Sequence, residues 1–369
     1  MYFYAVTRIY CLYAQSQAKI LFLGEQVMKI GRLFLFVAIL TVSAVSFADP
    51  VPVTHTEFQA INSDGSSAFD QSPFQVVLEG IIINNPEEWL DPTANYNEIP
   101  YNMGGQWQLV IQGEGDDHAG TACWMGQNYG NRTGSDYYYS NEEWINELHR
   151  LNYDADTGYA FRQGDRVRVT GTYLFYGGKL NINENHMIDE DYDFNIELID
   201  AAAGMPQPES ITLGDLKNVD DSFIFDHNRL TGPEYYQARL VRIEDVNVIN
   251  PASWAPASTI TVQDANGLTF PVYLGIGKGI SKYDCPTGKI DVVGIMNQEG
   301  AGWPPDCTSG YQILVSNYDG NGLVLGDTGN TRGNLPADIN KDYIVDLQDF
   351  AELASYWIDS TDGLYINID

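Results

Sequence analysis

Residues 164–183 read GDRVRVTGTYLFYGGKLNIN. Apolar and polar residues alternate from Arg166 to Tyr176, the period of a strand with one buried face. Gly171 breaks that run in mid-strand, where a missing side chain marks a bend or a close approach. Gly177-Gly178 then offers a two-residue hairpin turn, and Lys179 to Asn183 returns as the next strand. A strand bent at its middle and folded straight back predicts a sheet that curls into a small barrel.

Working outward, strands are predicted over 74–83 (FQVVLEGIII) and 106–112 (QWQLVIQ). One helix interrupts them. Ser140-Asn141-Glu142-Glu143 is a capping box, and Trp144, Leu148 and Leu151 follow on one helical face. The second half repeats the scheme, with strands predicted over 235–249, 259–263, 268–274, 289–296 and 311–315. RVRVTG from Arg166 aligns with KIDVVG from Lys289, each with a Gly near mid-strand.

The order strand, strand, strand, helix, strand, strand resembles an OB-fold. GDRVRVTGTYLFYGGKLNIN looks like the fourth and fifth strands of OB-like domains of bacterial exported proteins. YQARLVRIEDVNVI from Tyr236, followed by ITVQDANG from Ile260, looks like the first two strands of a second copy. The expected architecture is mainly β: two tandem OB-like β-barrels, at 49–200 and 209–317. The small-residue and proline stretch at 201–208 joins them. The resemblance implies a ligand face for oligonucleotides, oligosaccharides or proteins, and leaves the ligand open.

The N-terminal region predicts export. Residues 1–27 read as an extended leader. Residues 28–48 read as a signal peptide, with Lys29 and Arg32 before an apolar run and Ser46-Phe47-Ala48 as a small-x-small cleavage site. The expected location is secreted or cell-surface, with no membrane span in the mature chain. The formal net charge is −31, and cleavage after Ala48 leaves about −34. Such a charge repels phosphates, which weighs against nucleic acid as a partner. In an oxidising compartment Cys285 and Cys307 are expected to pair, leaving Cys123 as a buried thiol.

Near the C-terminus, after a Gly/Asn-rich linker at 318–335, the chain reads ADINKDYIVDLQDFAELASYWI from Ala337. Asp338, Asn340, Asp342, Ile344, Asp346 and Asp349 fall at positions 1, 3, 5, 7, 9 and 12 of an EF-hand-type loop. Asp338, Asn340 and Asp342 offer side-chain oxygens, and Ile344 offers its carbonyl. Asp346 ligates directly or through water, and Asp349 closes the shell from the helix. That is the hard-oxygen set Ca2+ requires. Phe350, Leu353, Ala354 and Trp357 then form one apolar helical stripe. Residues 336–369 resemble a single type I dockerin repeat, which implies a protein partner docked through calcium. Tyr343 stands where such loops carry Gly, Leu347 and Gln348 replace hydroxyl residues at positions 10 and 11, and residues 359–369 hold no second loop.

No Gly-rich phosphate loop or G-x-S-x-G motif occurs. Asp116-Asp117-His118 and Glu142-Glu143 read as a solvated turn and a capped first helical turn. No catalytic set emerges. Trp107, Trp124, Tyr137 and Tyr139, amid Asn and Gln, are the candidate aromatic face for sugar rings. The expected function is an exported, non-catalytic binding or scaffold protein with a calcium-dependent docking repeat. The alternative is an accessory or hydrolytic component of an extracellular polysaccharide-degrading system. In a calcium titration by calorimetry, Tyr343→Gly should tighten binding about tenfold, because it removes roughly 1–2 kcal/mol of left-handed backbone strain. Asp338→Ala should abolish the heat of binding.

Overall fold

The computed structural model describes residues 49–86, 105–127, 138–302, 304–318 and 320, and the short strand Leu323–Val324. Residues 1–48, expected to be leader and signal peptide, Tyr137, and residues 336–369, expected to form the calcium repeat, lie outside the described residues.

The first barrel runs β1 (Val51–Pro52), α1 (His55–Phe58), β2 (Val76–Ile82), β3 (Gln106–Gln112) and β4 (Gly120–Gly126). It continues with α2 (Asn141–Asn152), β5 (Arg166–Gly171), β6 (Tyr173–Tyr176), β7 (Lys179–Asn183) and β8 (Asn195–Asp200). Gly171 performs the hand-over that the sequence predicts. β5 pairs antiparallel with β2 as far as Val76↔Gly171, and β6 pairs with β7 from Tyr173↔Ile182. Only Thr172 separates the two segments, so one bent strand joins both sides of the sheet. A Cβ at Gly171 would sit 2.3 Å from the Phe194 Cβ. The remaining pairs run β2–β3–β4–β7, with β4 and β7 parallel.

The second barrel runs β9 (Glu209–Ile211), α3 (Leu213–Leu216), α4 (Gly232–Tyr235), β10 (Leu240–Val248), β11 (Ser258–Gln263) and β12 (Thr269–Leu274). It ends with α5 (Lys278–Lys282), β13 (Ile290–Gln298), β14 (Tyr311–Val315) and β15 (Leu323–Val324). Its five central strands close in the order β10–β11–β12–β14–β13–β10, with β12 and β14 parallel. β13 faces β10 up to Leu240↔Ile295 and β14 from Ile295↔Leu314. Gly294 therefore stands at the same hand-over as Gly171. Its Cβ would meet the Leu314 carbonyl oxygen at 2.4 Å. The pairing order and the helix after the third strand are those of OB-like barrels.

The repeat extends further than the hydrophobic pattern reveals. Each barrel begins with a two- or three-residue strand parallel to its first barrel strand. A four-residue helix follows, capped by Thr54 with Glu57 in one copy and by Thr212 with Asp215 in the other. Next comes an Asn-x-Asp-x-Ser turn. Asn62 donates to Ser66 and Asp64 accepts from it, just as Asn218 and Asp220 do with Ser222.

Two expectations, the start of one strand and a disulfide, need correction. The strand expected over 235–249 starts only at Leu240. Pro233 opens α4, and Ala238 then takes a left-handed φ of 54°. The 201–208 joint is irregular but tied down, since Ala202 N–H donates to Asp165 and Gly204 N–H to the Gly164 carbonyl. Cys285 and Cys307 are free thiols. Cys285 lies in the segment before β13 and Cys307 in the loop after it, where the Cys307 carbonyl accepts from Gln298 Nε2 at 2.9 Å. A disulfide requires Cα atoms about 4.4–6.8 Å apart.

The barrels meet across a third apolar cluster. Ile83, Val110 and Ala122 of the first pack with Ala238, Leu240, Val293, Ile295 and Leu314 of the second. At its edge the Gly120 N–H donates to the Gln237 carbonyl, 3.0 Å away. A Cβ at Gly120 would lie 2.2 Å from the Ala238 carbonyl oxygen. Gly120→Ala should therefore lower stability by roughly 1–3 kcal/mol through backbone displacement at this seam, read as a lower Tm by calorimetry.

Candidate functional site

The hairpin of β3 and β4 sorts its side chains by strand alternation. Trp107, Leu109, Cys123 and Met125 point inward and are fully buried. Gln108↔Trp124, Val110↔Ala122 and Gln112↔Gly120 share the outward face. That face divides in two. Val110 and Ala122 are consumed by the seam, and Gln112 Oε1 accepts the Leu240 N–H at 2.9 Å. Gln106, Gln108 and Trp124 continue beyond it, with Gln106 exposed and the other two half-buried.

Trp124 is the centre of this open half. Its indole N–H donates to Gln106 Oε1 at 3.4 Å, and its ring lies 5.7 Å from that of His186. Asn183 flanks it across the parallel β4–β7 pair. Asn181, the next outward position of β7, keeps a buried Oδ1 with no hydrogen-bond partner. Asn183 and Asn181 are buried, so the accessible amides beside Trp124 are those of Gln106 and Gln108; an indole with amides beside it suits a sugar ring, which stacks by its C–H face and hydrogen-bonds by its hydroxyls. Lys179 ends the same row, and its Nζ is engaged by the Gln298 carbonyl and, at 3.3 Å, by Glu299. Burial pushes that ammonium down from its ordinary pKa, although Glu299 opposes the shift.

The expected aromatic face is therefore not assembled as a set. Trp124 lies outward. Trp107 is a core residue, its indole N–H held by Asn152 Oδ1 at 2.7 Å and its ring 5.9 Å from Phe194. Tyr139 is buried, and its hydroxyl donates to Glu184 Oε2 at 2.8 Å. Alternation already implies that Trp107 and Trp124 face opposite ways once Gln108 pairs with Trp124.

Tyr139 leads to a second polar cluster. Oxygens of Glu147, Glu184 and Asp193 lie within 4.8 Å of one another. Arg150 Nη2 stands among them, 2.6 Å from Glu147, 3.8 Å from Glu184 and 3.9 Å from Asp193. The chain's own guanidinium thus supplies the positive charge the carboxylates need, and the cluster reads as an internal ion network. Burial and the Glu184 charge push the Tyr139 phenol up. These residues come from one helix and two loop positions far apart in sequence, and no local motif announces them.

Asp116-Asp117-His118 occupies the β3–β4 corner, and two of its members have structural tasks. Asp117 accepts from His55 N at 2.8 Å and Thr56 N at 2.7 Å, which caps α1. His55 is fully buried between Thr121 Oγ1 and the Glu79 carbonyl, and burial pushes its pKa down to about 4. His118 reaches into the second barrel. Its Nε2 lies 3.0 Å from Glu209 Oε2, a carboxylate that also accepts from Arg239 Nε.

In the second barrel Glu234 is 1% exposed and accepts the Tyr311 hydroxyl at 2.6 Å. Burial pushes its pKa up to about 7, against the opposing pull of Tyr311 and Arg229.

No described protein family matches the sequence, and no curated protein matches it either. Among solved structures the chain is similar to one from a replication protein A heterotrimer bound to ssDNA. The identity is 9% and the TM-score 0.21, over 80% of this chain and 74% of that one. At that score the likeness carries no argument, and the fold rests on strand order and pairing.

Glu234 yields a pH prediction. Its folded pKa is raised, so the stabilisation is full at acid pH, below the ordinary carboxylate value. It is lost as pH rises toward and through about 7. Glu234→Gln should flatten the fall in unfolding free energy between about pH 4.5 and 7, a difference of up to ~3 kcal/mol by denaturant titration.

Proposed function

We propose that this chain is an exported, non-catalytic binding and scaffold protein whose first barrel holds a glycan on the outward face around Trp124. The carrying observation is the composition of that face: one half-buried indole with exposed Gln106 and half-buried Gln108 beside it, and Asn183 and Asn181 buried beneath its edge. The one cation in its row, Lys179, is committed to the seam. In OB-like barrels the face of the second and third strands is the usual ligand platform. β3 and β4 are those strands here. A phosphate backbone calls for free Lys or Arg, which the described part of this face lacks.

The docking half of the reading rests on the sequence of residues 336–369. Asp338, Asn340, Asp342, Asp346 and Asp349 are hard oxygen donors at EF-hand spacing, with Ile344 adding its carbonyl. Bound calcium would order this loop and present the following helix to a protein partner. Export follows from the signal-like stretch before Asp49.

The test is binding of the full-length mature protein to a panel of soluble polysaccharides, followed by tryptophan fluorescence and calorimetry. The expected result is quenching by at least one glycan and a loss of about tenfold or more in affinity for Trp124→Ala, or ~1.4 kcal/mol. Undiminished glycan affinity in Trp124→Ala, or tighter binding of single-stranded DNA than of any glycan, would remove the proposal.

A further inference from the structure

Asn183 ends β7, and the chain turns at once. Asn185 and His186 take left-handed φ values of 51° and 56°, and the Met187 N–H donates to the Glu184 carbonyl at 3.0 Å. Two positive φ values inside such a bond are the mark of a type I′ turn. Asn suits its first central position, and Gly is the residue most favoured at the second. His186 occupies that second position. The chain therefore carries an imidazole where a β-carbon crowds the backbone and no side chain is most at ease.

The turn is held from several sides. The His186 N–H donates to Asn183 Oδ1 at 3.4 Å. Glu184 is fully buried, accepts the Tyr139 hydroxyl and lies 3.8 Å from Arg150. Ile188 packs against the core of the first barrel. The ion network around Arg150 thus anchors the turn, and the turn sets where the imidazole stands. It stands beside Trp124, with ring centroids 5.7 Å apart and planes inclined by 57°. Rings so inclined form a corner rather than a stack, and both are half-buried. Backbone held in a sparsely populated region by its surroundings is a recurrent feature of ligand sites, where it fixes a side chain in advance of binding.

We propose that His186 is a specificity-determining residue of the Trp124 site and that this site takes a neutral glycan. The inference rests on the glycan reading of that face. A pyranose laid on the indole meets the imidazole along one edge, so the two rings fix the sugar in two directions. Exposed Gln106 and half-buried Gln108 supply amides to its hydroxyls. The surrounding charge selects against acidic sugars. The turn runs directly into exposed Asp189, Glu190 and Asp191. Arg150, behind it, is bound by Glu147 at 2.6 Å, and Lys179 is engaged by Glu299. A uronate or sulfated chain would bring like charge against these carboxylates.

The test compares full-length mature wild type with His186→Gly, His186→Asn and Trp124→Ala. Affinities are measured by calorimetry at about 0.15 M salt for neutral β-glucan, xyloglucan and galactomannan and for the uronate polymers alginate and polygalacturonate. Thermal unfolding is measured on the same samples. The wild type should bind a neutral glycan and neither uronate polymer. Both His186 variants should bind about tenfold more weakly with Tm unchanged or raised, because Gly and Asn are at ease at positive φ. A residue kept for packing alone would show the opposite pattern, a lower Tm with affinity intact. That pattern, unchanged affinity in both variants, or preference for a uronate polymer would overturn the proposal. If Trp124→Ala weakens binding and the His186 variants do not, the glycan reading of the face stands and only the role of His186 falls. If Trp124→Ala leaves binding unchanged, both fall.

Discussion

Two barrels can share one apolar seam only if their backbones come within hydrogen-bonding distance, and that approach is made at the β3–β4 corner. Gly120 has no side chain and meets the Gln237 carbonyl directly. Within four residues of it, Asp117 caps α1 and His118 reaches Glu209. One turn therefore fixes the N-terminal helix of its own barrel and the placement of the next. Any change that lengthens or widens this corner acts on both barrels together.

The seam also decides what remains available for binding. It buries Val110 and Ala122 from the outward face of the first barrel, and Leu240, Val293, Ile295 and Leu314 from that of the second. Tyr273, which pairs with Leu314 much as Trp124 pairs with Asn183, packs against the same cluster. The duplication thus yields unequal copies. One keeps half of its platform open around Trp124, and the other turns β10, β13 and β14 toward its neighbour, with Tyr273 of β12 at the edge. Several of the carboxylates drawn into the interior have named partners. Glu184 lies beside Arg150 and Tyr139, the Glu209 carboxylate accepts from Arg239 and faces His118, and the Glu234 carboxylate accepts the Tyr311 hydroxyl, while Arg229 Nε donates to the Glu234 backbone carbonyl.

The fold was legible in the sequence where local chemistry is strict. Alternation, the Gly177-Gly178 turn and the Ser140 capping box depend on neighbours a few residues away, and the structure has all three. The short capped helices and Asn-x-Asp-x-Ser turns that open each barrel were equally local. Their repeat is nonetheless hard to see, since Gly65 in one copy is Asp221 in the other and no apolar period marks them. The candidate site was legible only in part. Trp124 stands outward, but Trp107 and Tyr139 went inward, because face assignment depends on register. Register is set by the partner strand.

By itself the sequence determined that this chain is mainly β, that it is duplicated, and where each barrel's fourth strand must bend. Those properties follow from side-chain period and from glycines where a Cβ has no room. Only the tertiary structure decided that Cys285 and Cys307 stay unpaired and that Arg150 sits among three carboxylates. It likewise joined His118 to Glu209 across 91 residues of chain. Such contacts have no local signature. They arise when closure and docking bring distant segments within a few ångströms, and burial then demands a partner for every charge.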